Sequence, residues 1–231
     1  MPMDAALLAA LEKKNLKALQ KALESKPDLT ALDRDGKTAL HRVMEGKKLE
    51  LAEALLAAGM PIDAKDDDGN TALHVLLKSK SGVMKPQEIA NATWLVERGA
   101  SLEVTGDYEY DALHFAARGA PAEVVGVLLS KGAKVRRDKG GNTPLFSTMS
   151  TFCKDTATWE LLLGAGCSVS DVNARGETIL HRAVICHNPF AVKWFLGKGA
   201  DKDVKDAEGK TARDYAVEYK NGKVLAALDK G

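Results

Sequence analysis

Cysteine is scarce in this chain: Cys153, Cys167 and Cys186 are the only three in 231 residues. An odd number without regular spacing argues against a disulfide framework and fits a reducing compartment. Long apolar runs are lacking as well. The first stretch, MPMDAALLAALEKK, has an apolar centre that is far too short to cross a bilayer. Its lysines follow that centre instead of preceding it, the wrong polarity for a secretory signal. A cytoplasmic chain without membrane association is expected. Net charge is nearly absent, at +1 from 33 basic and 32 acidic residues. Nothing global therefore draws the chain to nucleic acid or an anionic membrane. With 45% hydrophobic and 28% charged residues, the balance is that of an ordinary soluble fold.

Catalytic signatures are missing too. The stretch DKGGNTPL has neither the spacing nor the Lys-Ser/Thr ending of a phosphate-binding loop. G-x-S-x-G, H-E-x-x-H and C-x-x-C do not occur. Carboxylate pairs are abundant, but they sit in polar turns where nothing would shift their pKa values. Cys186 and His187, with Cys153 as a conceivable neighbour, supply three metal ligands, one short of a closed zinc site. The expectation is no enzyme, no cofactor and no metal. A lowered thiol pKa at Cys186 would reverse it.

What the chain does contain is repetition. DRDGKTALHRV (33–43), DDDGNTALHVL (66–76) and NARGETILHRA (173–183) say nearly the same thing. The threonines of these turns are Thr38, Thr71, Thr143, Thr178 and Thr211, with spacings of 33 (38 to 71), 35 (143 to 178) and 33 (178 to 211). The gap from Thr71 to Thr143 holds one more copy, YDALHFAARGA, with Asp111 in place of Thr. Gly59, Gly99, Gly132, Gly166 and Gly199 keep the same step, each after an apolar helical run. One unit therefore reads as a turn, a Thr N-cap, a short helix, a loop, a longer helix and a C-capping Gly. Trp94, Trp159 and Trp194 fall at apolar positions of the second helices and are expected in the core.

At this period, with T-x-L-H opening the units, the chain resembles the ankyrin repeat family. The resemblance implies an all-α solenoid of helix–turn–helix units joined by β-turn or hairpin fingers. The fingers would project in a row and the first helices would line a concave groove. The slot histidines His41, His74, His114 and His181 would be structural, orienting the turns. About seven units are expected: a cap pair at 1–32, internal repeats at 33–65, 66–105, 106–137, 138–172 and 173–205, and a closing cap at 206–231. The first cap is expected to carry a Lys-rich outer face. The family implies binding of another protein, with the chain a monomer in isolation. Acting alone, such a module would be an adaptor, an inhibitor or a toxin-neutralising partner; the alternative is an effector delivered into another cell.

Departures from the repeat mark the candidate site. An insertion at Lys80–Pro86 lengthens one inter-helix loop, with Pro86 starting the next helix. The third turn, TGDYEYDALH, has Glu109 where the others have Gly, so its backbone is expected to reach the helix by another route. It gains Tyr108 and Tyr110, which nothing in the stack needs, and they are expected to anchor a partner. Phe115 and Arg118 should face the same groove. Fingers bearing Asp63, Asp66, Asp67, Asp68, Asp107 and Glu109 are acidic; the finger with Lys134, Arg136, Arg137 and Lys139 is basic. Arg175 extends the row of finger contacts. Alternating signs suit a protein partner with matching charges better than a nucleic-acid backbone, which wants one positive stripe.

Overall fold

The computed structural model describes residues 2–46, 48–78, 84–106, 109–149 and 154–229. Among them are fourteen helices in seven successive pairs. The pairs are α1 (Ala5–Glu12) with α2 (Leu16–Leu23), α3 (Ala39–Met44) with α4 (Leu49–Ala57), and α5 (Ala72–Leu77) with α6 (Pro86–Glu97). Then come α7 (Ala112–Ala117) with α8 (Ala122–Ser130), α9 (Pro144–Ser147) with α10 (Thr156–Gly164), α11 (Ile179–Ile185) with α12 (Pro189–Gly197), and α13 (Ala212–Glu218) with α14 (Gly222–Asp229). Pro86 opens α6, as its position in the sequence suggests.

First helices pack on first helices in an unbroken series, from α1 through α3, α5, α7, α9 and α11 to α13. Second helices form the other layer, α2 on α4, α6 on α8, α8 on α10 and α12 on α14. The apolar core runs as one cluster from Met3 to Leu228. Trp94 and Trp159 lie in it, and Trp194 packs on it half-buried. Polar seams cross it as well: Asn91 of α6 is buried and donates to the carbonyls of Met44 (2.8 Å), the last residue of α3, and Gly46 (3.0 Å) just after it. The five capping glycines all hold φ between 85° and 111°, the left-handed conformation that ends a helix cheaply in Gly. On the first pair Lys13, Lys14, Lys17 and Lys21 are exposed, and Ala6, Ala9, Ala10, Ala18 and Ala22 line a recess of about 410 Å³ together with Lys13, Lys21 and Ser25.

The fingers are built by a repeated side-chain device. Asp33 Oδ1 accepts from the N–H groups of Asp35 (2.9 Å) and Lys37 (3.0 Å). Asp138 does the same for Gly140 and Asn142, and Asp206 for Glu208 and Lys210. A short acidic side chain that satisfies its own turn is why Asp recurs five residues before four of the six caps. No sheet forms among the described residues; the fingers contribute isolated bridges such as Lys65 with Thr71 and Lys205 with Thr211.

The slot histidines stitch one unit to the next. Nε2 of His41, His114 and His181 lies 3.1 Å from the carbonyls of Asn70, Asn142 and Lys210, each just before the following cap. His74 differs: Nδ1 accepts from Thr71 N–H, but Nε2 has no hydrogen-bond partner among the described residues. Burial takes the His74 imidazole down to about 4, against the upward pull of the Asp111 charge. Burial also lowers His41, against Asp66. For His114, burial again opposes the charge, but the Asp111 carboxylate at 2.8 Å outweighs it and the pKa rises.

These shifts set opposite pH dependences. A neutral His74 with a depressed folded pKa contributes stability that is complete above the unfolded value of about 6.5 and is lost as pH falls through about 4. His114 contributes stability that is complete below its unfolded value and fades as pH rises through its folded one. Urea unfolding at pH 7 and pH 5 should show a loss on acidification, of which His74 accounts for about 2 kcal/mol. His74→Gln should shrink that loss; an undiminished acid loss in the variant would contradict the assignment.

Candidate functional site

The third turn follows the backbone course of its neighbours by different means. Gly106 N–H donates to the Tyr110 carbonyl (2.9 Å) and Glu109 N–H to the Gly106 carbonyl (3.2 Å), as Asp66 and Gly69 do with Asn70 and Asp66 in the second turn. Glu109 sits at φ 61°, beside values of 71° to 79° for Gly36, Gly69, Gly141, Gly176 and Gly209. The expectation of another backbone route is therefore corrected: the turn keeps the left-handed step and places a glutamate in it. Gly106 replaces the usual Asp for a steric reason. A Cβ there would lie 2.3 Å from Asn70 Oδ1 and 3.0 Å from His74 Nδ1.

The aromatics of this unit serve the stack. Tyr110 is half-buried, stacked on His114 with centroids 5.3 Å apart and edge-on to Phe115 at 5.5 Å. Phe115 is only 1% exposed and lies 5.0 Å from the His74 ring. Phe115 is thus withdrawn from any groove surface, and the expectation that nothing in the stack needs Tyr110 is corrected as well, because Tyr110 covers Phe115. Asp107 and Tyr108 lie outside the described residues, as do residues 79–83 of the insertion. Arg118 is exposed, its guanidinium 5.9 Å from the Tyr110 ring centroid.

The charged fingers are partly neutralised within the molecule. Glu103 pairs with Lys134 (3.2 Å) and Arg136 (2.8 Å). Arg137 donates to the carbonyls of Gly141 and Val172, both 2.7 Å, and to Asp171 at 2.9 Å, bridging two fingers. Asp63 accepts from Ser101 N–H (2.9 Å) and Asp66 from Asn70 N–H (2.7 Å). The charge division is therefore weaker than the sequence suggests, with Asp67, Asp68, Glu109 and Lys139 left as its exposed members.

Two expected residues, Tyr110 and Arg175, come together. With Asn142, Phe146, Ser147 and Arg182 they line a cavity of about 90 Å³ between the finger bases and the first helices. The last four were missed in the sequence, although one signal was present. Phe146 occupies the slot where four other units place His, and Phe cannot reach across to the next turn. Ser147 Oγ and Thr143 Oγ1 have no hydrogen-bond partner among the described residues. Glu177, almost fully buried, is the acid nearest the two arginines, 3.1 Å from Arg175 and 4.0 Å from Arg182. Burial raises the Cys186 thiol pKa, and its Sγ donates to the Met149 carbonyl at 3.6 Å; Cys153 lies outside the described residues. No three His, Cys, Asp or Glu side chains converge on a metal-sized site among the described residues.

Comparison with known proteins settles the lineage of this scaffold. Residues 6–105 match a family model of three ankyrin repeats, and residues 162–216 match one of many ankyrin repeats. A putative ankyrin repeat protein of fowlpox virus, FPV223, is 31% identical over 111 residues, covering 48% of this chain and 76% of that protein. The chain belongs to the ankyrin repeat family. A homologue of transient receptor potential cation channel subfamily A member 1 from Caenorhabditis elegans is 32% identical over 118 residues, which is 51% of this chain but only 10% of the channel protein. The crystal structure of the ankyrin repeat domain of Bcl-3, a member of the IkappaB protein family, superposes with a TM-score of 0.75 at 23% identity, covering 99% of this chain and 100% of that one. Between the two matched segments lie residues 106–161, the ankyrin units with Gly106, Glu109, Asp111 and Phe146.

The left-handed glutamate offers a direct test. A non-Gly residue there costs about 1–2 kcal/mol, partly offset by the greater freedom that glycine regains on unfolding. Glu109→Gly should therefore stabilise the protein by about 0.5–1 kcal/mol in urea unfolding. A destabilised variant would show that the Glu109 side chain itself holds the turn.

Proposed function

We propose that this protein is a non-catalytic binding module that takes a partner protein along its concave groove and finger tips, and acts by masking or recruiting it as an adaptor or inhibitor. The observation that carries this reading is where the departures from the repeat collect. Tyr110, Phe146 and Arg175 stand at positions filled elsewhere by Lys, Asn or Glu, by His or Asp, and by Asp, Tyr, Gly or Glu, and the three border one cavity on the groove side. Ankyrin repeats generally bind other proteins, and residues that leave the repeat pattern and border the groove are the ones available for a partner. Arg118, Asp67, Asp68 and Lys139 are the exposed charges that would steer the encounter. Arg137 is held by its neighbours and serves as a rim of fixed shape.

Copurification from the native cell followed by gel filtration should give a stoichiometric complex with a protein. Its association rate should fall as salt rises from about 0.05 to 0.3 M, because exposed charges are screened beyond roughly 10 Å. Reversing Asp68 and Lys139 together should weaken that salt dependence. Reversing Lys193 on α12, in the opposite layer of helices, should not. Equal effects from both reversals would place the partner elsewhere than the groove.

A further inference from the structure

Because the chain repeats itself, one unit serves as a control for another. Arg42 of α3 and Arg182 of α11 both lie four residues after their caps, Thr38 and Thr178, and their side chains are equally exposed, 28% and 29%. Their surroundings are opposite. Arg42 is held by two carboxylates of its own finger, Asp33 and Asp35, which also raise its pKa further. In the fifth unit the same two finger positions are Asn173 and Arg175.

The Asn exchange is a matter of one atom. Asp33 uses Oδ1 for its turn and Oδ2 for Arg42. Asp206 of the last unit uses Oδ1 for its turn and Oδ2 for the Tyr215 hydroxyl at 2.7 Å, again four residues after the cap. Asn173 keeps the turn bonds through Oδ1, to Arg175 N–H (2.9 Å) and Glu177 N–H (3.1 Å). Where Asp has its second oxygen, Asn173 has an NH₂, which donates to Asn142 Oδ1 (3.1 Å) and Glu177 Oε2 (2.8 Å). Arg182 thus loses one acceptor to an amide and the other to a second arginine. Glu177 is shared among Asn173, Arg175 and, at 4.0 Å, Arg182.

We infer that the cavity bordered by Arg175 and Arg182 is a receptor for an acidic side chain of the partner protein, whose carboxylate takes the place that Asp33 and Asp35 hold at Arg42. This rests on the protein-binding reading above. The two guanidinium groups supply charge and planar donors suited to a carboxylate. Ser147 lines the same cavity beside them. Tyr110 and Phe146 give apolar walls for a methylene stem. A cavity of about 90 Å³ has room for several water molecules, hence for a carboxylate on a short stem and not for an aromatic ring. Fingers continue on both sides of the cavity, which favours a side chain from a segment passing along the groove over a chain terminus.

The test uses arginine Nε–Hε resonances of the full chain at low salt, titrated with N-acetylglutamate amide, N-acetylglutamine amide and N-acetylglycine. The glutamate compound should shift Arg175 and Arg182 saturably and leave Arg42 unmoved. The glutamine compound should bind about tenfold more weakly or worse, the difference of one charge-assisted hydrogen-bonded contact. N-acetylglycine, which carries only a terminal carboxylate, should be the weaker of the two acids. Arg182→Gln should abolish the response. Arg175→Asp, at an exposed finger position, should abolish it too, because it restores the internal carboxylate of the first unit. Equal binding of glutamate and glutamine, equal shifts at Arg42, tighter binding of N-acetylglycine, or undiminished binding in Arg175→Asp would each overturn the inference. A partner that binds wild type and Arg175→Asp alike would sink the acidic-receptor assignment while leaving the binding-module reading intact. A response to glutamate without any protein partner would do the reverse.

Discussion

A helix of six residues has no independent stability in water, and three of the first helices are of that length. Everything else in this protein follows from the need to bury such helices against copies of themselves. Each helix pair is half of a core, completed by the pair before and the pair after. The demand falls on backbone polarity as much as on apolar area. Carbonyls before the caps accept one N–H from their own finger, and three slot histidines reach across to bond them a second time from the neighbouring unit. The imidazole is well suited: one nitrogen serves the cap of its own unit and the other the turn of the next. Stability is thereby tied to proton occupancy at sites deep in the stack, and a single exchange, Thr to Asp at position 111, turns the sign of that dependence for His114 relative to His74.

The middle of the stack bends these rules without breaking the backbone course. Gly106 gives up the Asp that elsewhere satisfies its own turn, because the Asn70 side chain occupies the space a Cβ would need. Glu109 accepts a left-handed backbone. Phe146 gives up the seam hydrogen bond of its slot. Each change costs stability locally, and a chain made of interchangeable parts has ready alternatives at every one of these positions. Tyr110 shows the compensation: by covering Phe115 it turns a position half-buried in other units into core. The tyrosine is therefore both a wall of the cavity and a lid on the stack, so truncating it would disturb folding and binding together.

Much of the fold was legible in the sequence because repetition supplies its own alignment. The period, the Thr and Gly landmarks and the Pro86 helix start all fell where the chain's self-similarity put them. The site was less legible, for two reasons. Counting finger charges ignores pairing across fingers, and Glu103, which neutralises Lys134 and Arg136, stands a full unit away in sequence. Judging Tyr110 and Phe115 as exposed relied on their place in the repeat, whereas their burial depends on each other. The signal for Arg182 lies in the same column read down all units, position by position, for charge.

That column is where a repeat scaffold records function. At the position four residues after the cap the units carry Arg42, Val75, Phe115, Ser147, Arg182 and Tyr215. The backbone places them equivalently, so differences in their surroundings report chemistry and not geometry. Arg42 is closed by its own finger and Tyr215 by Asp206, while Phe115 is covered by Tyr110. Of the polar members Ser147 and Arg182 remain, on α9 and α11 at one cavity, with Glu177 4.0 Å from Arg182 and shared with Arg175 and Asn173. A guanidinium costs much to desolvate and gains most from a partner whose position is fixed in advance. Here that position is fixed by Glu177 and Asn173, both buried and both bonded to the turn that carries Arg175. The arginines are therefore held in place by the same turn bonds that build every other finger, and specificity is obtained by exchanging a few side chains on a frame whose cost of ordering is met by folding.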